Sequence, residues 1–172
     1  GELGNLMTVL NHTASSLELQ RHDIEQLNDK LQRAQELEAL ERHRLDVAVN
    51  NMAQGLILYD ASERVVTCNR QFTEMLGMSP LVVKPGRTFR EIIAHRIQTG
   101  SLAQDVEEYR TTFLRNIAAD SHAPVVATTS DGRSIQIVGK GIKGGGWVAT
   151  VEDITERKRV DTRIAHMAHY DA

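Results

Sequence analysis

Gly139-Lys140-Gly141-Ile142-Lys143-Gly144 has the G-x-G-x-x-G spacing that lets backbone amides close on a pyrophosphate. That chemistry needs a strand before the glycines and a helix after them. Here the run Arg133 to Ile142 leads in, and Gly144-Gly145-Gly146 leads on into a second β-branched and aromatic run, Trp147 to Glu152. The motif therefore reads as a flexible hairpin. Glu152 and Asp153 are adjacent carboxylates on an exposed edge, not a facing acid/base pair. No Ser/His/Asp or Cys/His arrangement and no zinc-ligand spacing occurs, so the sequence nominates no catalytic residue and no zinc site. Cys68 is the single cysteine and cannot form an internal disulfide, which permits a reducing compartment; the expected location is cytoplasmic, with room for an anchor upstream.

The elements around these residues point to signalling rather than to catalysis. Trp147-Val148-Ala149-Thr150-Val151 has the composition of a half-buried strand, and it runs without a loop into Asp153-Ile154-Thr155-Glu156-Arg157-Lys158. Thr155 is the expected N-cap of the helix that follows, and Asp153 sets a carboxylate near the positive end of its dipole. Along that helix Val160, Ile164 and Met167, four and three apart, form a seam suited to a second helix.

Residues 5 to about 50 hold neither proline nor glycine and are rich in Leu, Glu, Gln, Arg and Ala, which predicts one helix of about 65–70 Å. In a heptad frame Leu3, Leu10, Leu17, Ile24 and Leu31 share one core position, and Leu6, Thr13, Gln20, Leu27 and Ala34 the other. The polar Thr13 and Gln20 weaken the pairing while fixing its register. After Ala34 the repeat fails, because Glu38 and Glu41 take the core positions and Leu37 and Leu40 lie beside them. A sustained stripe of this kind predicts a homodimeric coiled coil, with Leu10, Leu17, Ile24, Leu27 and Leu31 in the seam and Val160, Ile164 and Met167 extending it at the other end.

Between these helices, Gly55 to Asp60 and Val65 to Cys68 read as two strands. Asn69 opens a helix carrying Phe72, Met75 and Leu76 that Gly77 stops. Thr88-Phe89-Arg90-Glu91 is a capping box whose helix ends near Gly100. Ser101-Leu102-Ala103-Gln104 reads as a second box, opening a helix with Leu102, Val106, Tyr109, Phe113 and Ile117 on one face. Val125 to Thr129, Arg133 to Ile142 and Trp147 to Glu152 complete five strands, with Asp131-Gly132 as a hairpin turn.

Three stretches carry a resemblance. Asn-Asn-Met-Ala-Gln-Gly-Leu-Ile-Leu-Tyr-Asp (50–60) and Val-Val-Thr-Cys-Asn-Arg-Gln-Phe (65–72) resemble the opening of PAS sensory domains, and Asp-Ile-Thr-Glu-Arg-Lys (153–158) resembles their ending, where the last strand enters a signalling helix. The resemblance implies an α+β fold: a five-stranded antiparallel sheet with helices, preceded by a long coiled-coil helix and followed by a signalling helix. The implied layout is a coiled coil over 1–44, a PAS domain over 45–153 and a signalling helix over 154–172 leading towards an output domain. It also implies that signal passes through Asp153, Ile154 and Thr155. The helix after Thr88 matches the wall of the PAS cavity, where haem-binding members place an iron-ligating histidine. His95 is the candidate, although on a helical wheel it points away from Phe89, Ile92, Ile93 and Ile97. Cys68 lies outside the motif in which flavin-binding light sensors hold their reactive cysteine, and 4% aromatic content offers no evident stacking surface for a flavin. No cofactor is nominated.

The final stretch, Arg163 to Ala172, resembles the lead-in to diguanylate cyclase (GGDEF) domains. A histidine kinase instead follows its phosphoacceptor histidine with an acidic residue, whereas His166 is followed by Met167 and His169 by Tyr170. A net charge of -3 gives no electrostatic case for nucleic acid or an anionic membrane surface. The leading expectation is a regulatory PAS module, not itself an enzyme, that controls cyclic di-GMP through a C-terminal cyclase. A ligand-free dimerisation spacer and the sensor segment of a histidine kinase are the alternatives.

Overall fold

The computed structural model describes residues 1–170. The chain divides into two compact units, residues 1–48 and the part from Val49 onward. Helix α1 (Glu2–Asn50) starts slightly earlier than its composition predicts, taking in Gly4, and none of its residues is buried. Exposed ion pairs at helical spacing, Arg21–Glu25 and Arg42–Glu38, line it. No helix among the described residues is long and apolar enough to cross a membrane.

The second unit holds β1 (Gly55–Tyr59), β2 (Val65–Cys68), α2 (Arg70–Leu76), α3 (Phe89–Gln98), α4 (Val106–Ala118), β3 (Val125–Thr128), β4 (Ser134–Gly141), β5 (Trp147–Asp153) and α5 (Thr155–Tyr170). The five strands form one antiparallel sheet in the order β2-β1-β5-β4-β3, so the first and last strands of the unit meet at its centre. Burial alternates along β1 and β5, which turns Ile57, Tyr59, Trp147, Ala149 and Val151 to the core. Helix α2 packs on β1 and β5, α4 on β4, and α3 on α4. This is the sheet-with-helices, PAS-like architecture that the sequence implies.

Local chemistry sets the helix ends. The Asn69 side chain accepts from the Phe72 N–H, and Gly77 takes the left-handed conformation (φ 62°) that ends α2. Both halves of the Thr88/Glu91 capping box are present at the start of α3. The second box expected at Ser101–Gln104 is not formed. The Ser101 N–H and Oγ both donate to the Arg96 carbonyl, at 2.9 and 3.1 Å, so Ser101 closes α3 instead of opening α4. The N-cap of α4 is Asp105, whose Oδ1 accepts from the Glu107 and Glu108 N–H groups at 2.9 and 3.1 Å. Gly144, Gly145 and Gly146, all at positive φ, turn β4 into β5, and the G-x-G-x-x-G run lies in that strand–turn–strand.

Candidate functional site

Between the helices and the sheet lies a cavity of about 30 Å³. Ile57, Tyr59, Ile137 and Ala149 form its floor; Phe72 and Leu76 of α2, Phe89, Ile92, Ile93 and Arg96 of α3, and Tyr109 and Phe113 of α4 form its walls. The chain's own rings occupy most of the interior. Tyr59 stacks on Trp147 with centroids 4.8 Å apart and meets Phe89 edge-on at 5.2 Å, while Tyr109 stacks on Phe113 at 6.0 Å. The remaining space is far below the roughly 300–1,000 Å³ typical of sites for drug-sized ligands. Burial pushes the Tyr59 phenol above its ordinary range; nearby Tyr109 adds to the effect and Arg96 opposes it. Burial likewise raises the Cys68 thiol, whose sulfur lies 3.6 Å from the Val83 carbonyl.

Sequence reasoning passed over Arg96. It occupies the i+7 position of the Phe89, Ile92, Ile93 stripe, so α3 turns it into the core, where it is 5% exposed. Its guanidinium carbon stands 5.9 Å from the centre of the Tyr109 ring, and its Nε has no hydrogen-bond partner. His95, one residue earlier, is half-buried in a separate groove on the outside of α3, beside Val82, Arg87, Glu91, Ala94 and Gln98. It is not among the residues that line the cavity.

The strand-to-helix junction is tied down at each residue. Ile154 is 5% exposed, its N–H donates to the Ser134 carbonyl at 2.9 Å, and its carbonyl accepts from Lys158 at 2.9 Å. Thr155 is the first residue of α5 rather than its N-cap. The capping acceptor is Asp153 Oδ1, which takes the Thr155 N–H at 2.9 Å and its hydroxyl at 2.5 Å. These bonds, the hydroxyl's first, hold the Asp153 carboxyl below the usual carboxylate range, with the Arg133 charge a smaller contributor. Arg133 lies 3.9 Å from the Asp153 carboxylate, donates to Asp131 at 2.7 Å and reaches the Met75 carbonyl at 3.1 Å. One side chain thus touches the junction, the β3–β4 turn and α2.

The candidate seam residues of α1 and of α5 are apolar and exposed, each on its own helix. Leu10, Leu17, Ile24, Leu27 and Leu31 on α1 are 57–64% exposed in the single chain. Val160, Ile164 and Met167 on α5 are exposed too. Within the stretch that resembles a cyclase lead-in, the His166 ring stacks on Tyr170 at 6.2 Å, while Asp171 and Ala172 lie outside the described residues.

A family profile described as the PAS fold matches residues 49–162. The chain belongs to the PAS family. It is 31% identical over 117 residues to the "Non-motile and phage-resistance protein" of Caulobacter vibrioides, an alignment covering 67% of this chain and 12% of that protein. The chain therefore spans about an eighth of that relative's length. Among solved structures, an RNA-binding light-oxygen-voltage receptor superposes with a TM-score of 0.51 at 19% identity, over 76% of this chain and 38% of the other. A PAS domain of an HTR-like protein from Haloarcula marismortui gives a TM-score of 0.48 at 21% identity, over 72% of this chain and 98% of its own.

PAS membership gives the unit a regulatory, signal-sensing role rather than a catalytic one.

Proposed function

We propose that this chain is the homodimeric sensory segment of a longer signalling protein, in which α1 and α5 pair with their counterparts as coiled coils. Residues 1–44 form the first pairing helix, 45–153 the sensor and 154–172 the helix that leads to the output. The output is a diguanylate cyclase, because Arg163–Ala172 resembles the lead-in to that domain. Making a symmetric cyclic dinucleotide requires two substrate-bound active sites to face each other, so a change in the angle or register of α5 is a sufficient switch. A shift between two helix packings needs only a few kcal/mol of differential ligand affinity.

The observation that carries this reading is the Asp153-Ile154-Thr155 junction. It is bonded to β4 on one side and continues on the other into a helix whose apolar stripe is exposed. Arg133 offers a route from the cavity, since α2 supplies both the Met75 carbonyl it holds and the Phe72 and Leu76 side chains of the wall. Two measurements test the proposal. Native mass spectrometry of the chain is expected to give a dimer. The chain expressed with the sequence that follows it in its gene is expected to convert GTP to cyclic di-GMP, at a rate altered by inserting one residue after Thr155. A monomer, or no cyclic di-GMP, rejects it.

A second reading, the ligand-free dimerisation spacer, is favoured by the small, ring-filled cavity. In that case the same dimer forms and nothing that enters the cavity alters the output.

A further inference from the structure

We infer that the cavity is a receptor for one small monocarboxylate of about acetate size, held by Arg96. This rests on the sensor reading and names the class of ligand the sensor takes.

Arg96 carries a buried charge whose one neighbour of opposite character is the face of the Tyr109 ring. Arg96 is 5% exposed and lines the cavity, yet its Nε is unpartnered and it makes no ion pair among the described residues. A buried guanidinium without a carboxylate is costly unless something else supplies the negative charge. Glu107 of α4, the helix packed on α3, and Glu63 are committed elsewhere. Glu107 pairs with Arg90 at 2.8 Å and also approaches Arg110, and Glu63 forms a two-pronged ion pair with Arg110.

The lining fits a carboxylate better than other anions. A guanidinium presents parallel N–H donors that match two carboxylate oxygens. Tyr59 and Tyr109 line the same space, and neither hydroxyl bonds to the protein among the described residues, so both remain as donors. Ile57, Ile93 and Ala149 offer an apolar wall for a methyl group. A phosphate or dicarboxylate would bring a second charge that a single guanidinium leaves unpaired. About 30 Å³ holds about two waters; acetate, with four heavy atoms, enters with a small outward shift of the ring cluster, whereas benzoate would need a far larger one.

The test uses the purified chain at constant ionic strength, with sodium chloride replaced stepwise by sodium acetate. Trp147 reports, since it is the single tryptophan and stacks on Tyr59 of the cavity floor. Acetate is expected to change its fluorescence saturably and to raise Tm, whereas benzoate at the same concentrations does neither. Arg96→Met, which removes the unpaired charge and should fold at least as well, is expected to weaken acetate at least tenfold. Should that variant fail to fold, Arg96→Lys must still bind acetate several-fold more weakly. No acetate response beyond that of chloride, or an unchanged midpoint in either folded variant, overturns the inference. Native mass spectrometry of the same samples separates the two levels: a dimer that ignores acetate removes the carboxylate site alone, whereas a monomer removes the relay as well.

Discussion

The Thr155 hydroxyl accepts the Ser134 N–H at 2.9 Å while donating to Asp153 at 2.5 Å, so a single oxygen joins the first residue of α5 to the start of β4 and the end of β5. The exit helix is therefore fastened to two central strands before its first turn is complete. In the proposed relay, a rotation of those strands would reach α5 without a loop to absorb it, since β5 ends at Asp153 and α5 begins at Thr155.

Removing that oxygen should loosen α5 without unfolding the domain. Thr155→Val keeps the shape but leaves the Ser134 N–H unpaired, at a cost of about 1–2 kcal/mol; Thr155→Ser should stay within about 0.5 kcal/mol of the parent. Urea unfolding gives the stability, and amide exchange over the first turn of α5 should accelerate in the valine variant alone.

The junction should be insensitive to pH across the physiological range. Asp153 is held below its unfolded carboxylate pKa of about 3.9. Its contribution is thus fully present above that value and disappears as the pH falls through the lower, folded one. Amide exchange at Thr155, corrected for its intrinsic pH dependence, should be flat between about pH 5 and 8 and rise only in strong acid, a rise that Asp153→Asn removes. A change in protection near neutral pH would show that a group other than Asp153 governs the junction.

Asn69 holds the beginning of the domain together. Its Oδ1 accepts from Leu56 at 2.8 Å and Phe72 at 3.0 Å, and its Nδ2 donates to the Val49 and Gln54 carbonyls, each at 2.9 Å. At 1% exposed, the amide is fully used. Asn69→Asp keeps the helix cap but loses both donors and buries a charge against two carbonyls, so it should cost more than Asn69→Ala. The expected losses are about 3–5 and 2–3 kcal/mol in urea unfolding.

These two sites mark how far sequence reading reaches. Strands were legible because β1 is a short continuous apolar run, because β5 is β-branched and aromatic, and because a glycine cluster separates β4 from β5. Asn69 was legible as a helix cap, a local relationship, but not as the bond to Val49 and Gln54, which depends on where the chain returns. Ser101 matched a capping box by type and spacing, but the closure of α3 on Ser101 leaves the start of α4 to Asp105, which the sequence reading did not single out. Arg96 was overlooked because arginine on a short helix is ordinarily solvated; its place at the seventh step from Phe89 was the signal that was available. His95 drew attention because the family resemblance puts an iron-ligating histidine on this helix, while the helical periodicity already directed it outward.

Gly55 needs no special backbone angle, yet it cannot be replaced cheaply. A Cβ there would sit 2.7 Å from the Phe72 Cα, in backbone that cannot step aside as a side chain would. Gly55→Ala should push α2 off β1 and destabilise by about 1–3 kcal/mol. Because Phe72 and Leu76 also wall the cavity, Trp147 fluorescence should change in the folded variant too. Unchanged stability and emission would mean that α2 is free to slide.

In the proposed dimer the two polar seam positions of α1 should not be equivalent. The Thr13 hydroxyl already donates to the Val9 carbonyl of its own helix at 2.9 Å, so burying it leaves no donor stranded. Gln20 makes no such bond among the described residues, and its amide must find its counterpart across the seam or lose water unpaired. Gln20 is therefore the residue that sets register, and Gln20→Leu should tighten the dimer roughly tenfold or more while allowing shifted pairings. Thr13→Leu should tighten it less and leave the register alone. Conversely, Ile24→Asp places like charges face to face and should weaken association by at least a hundredfold. Sedimentation equilibrium gives the dimer constants, and cross-linking through single cysteines introduced at residue 17 on a Cys68→Ser background reads the register. Equal effects of the Thr13 and Gln20 changes would show that the seam runs along a different face of α1.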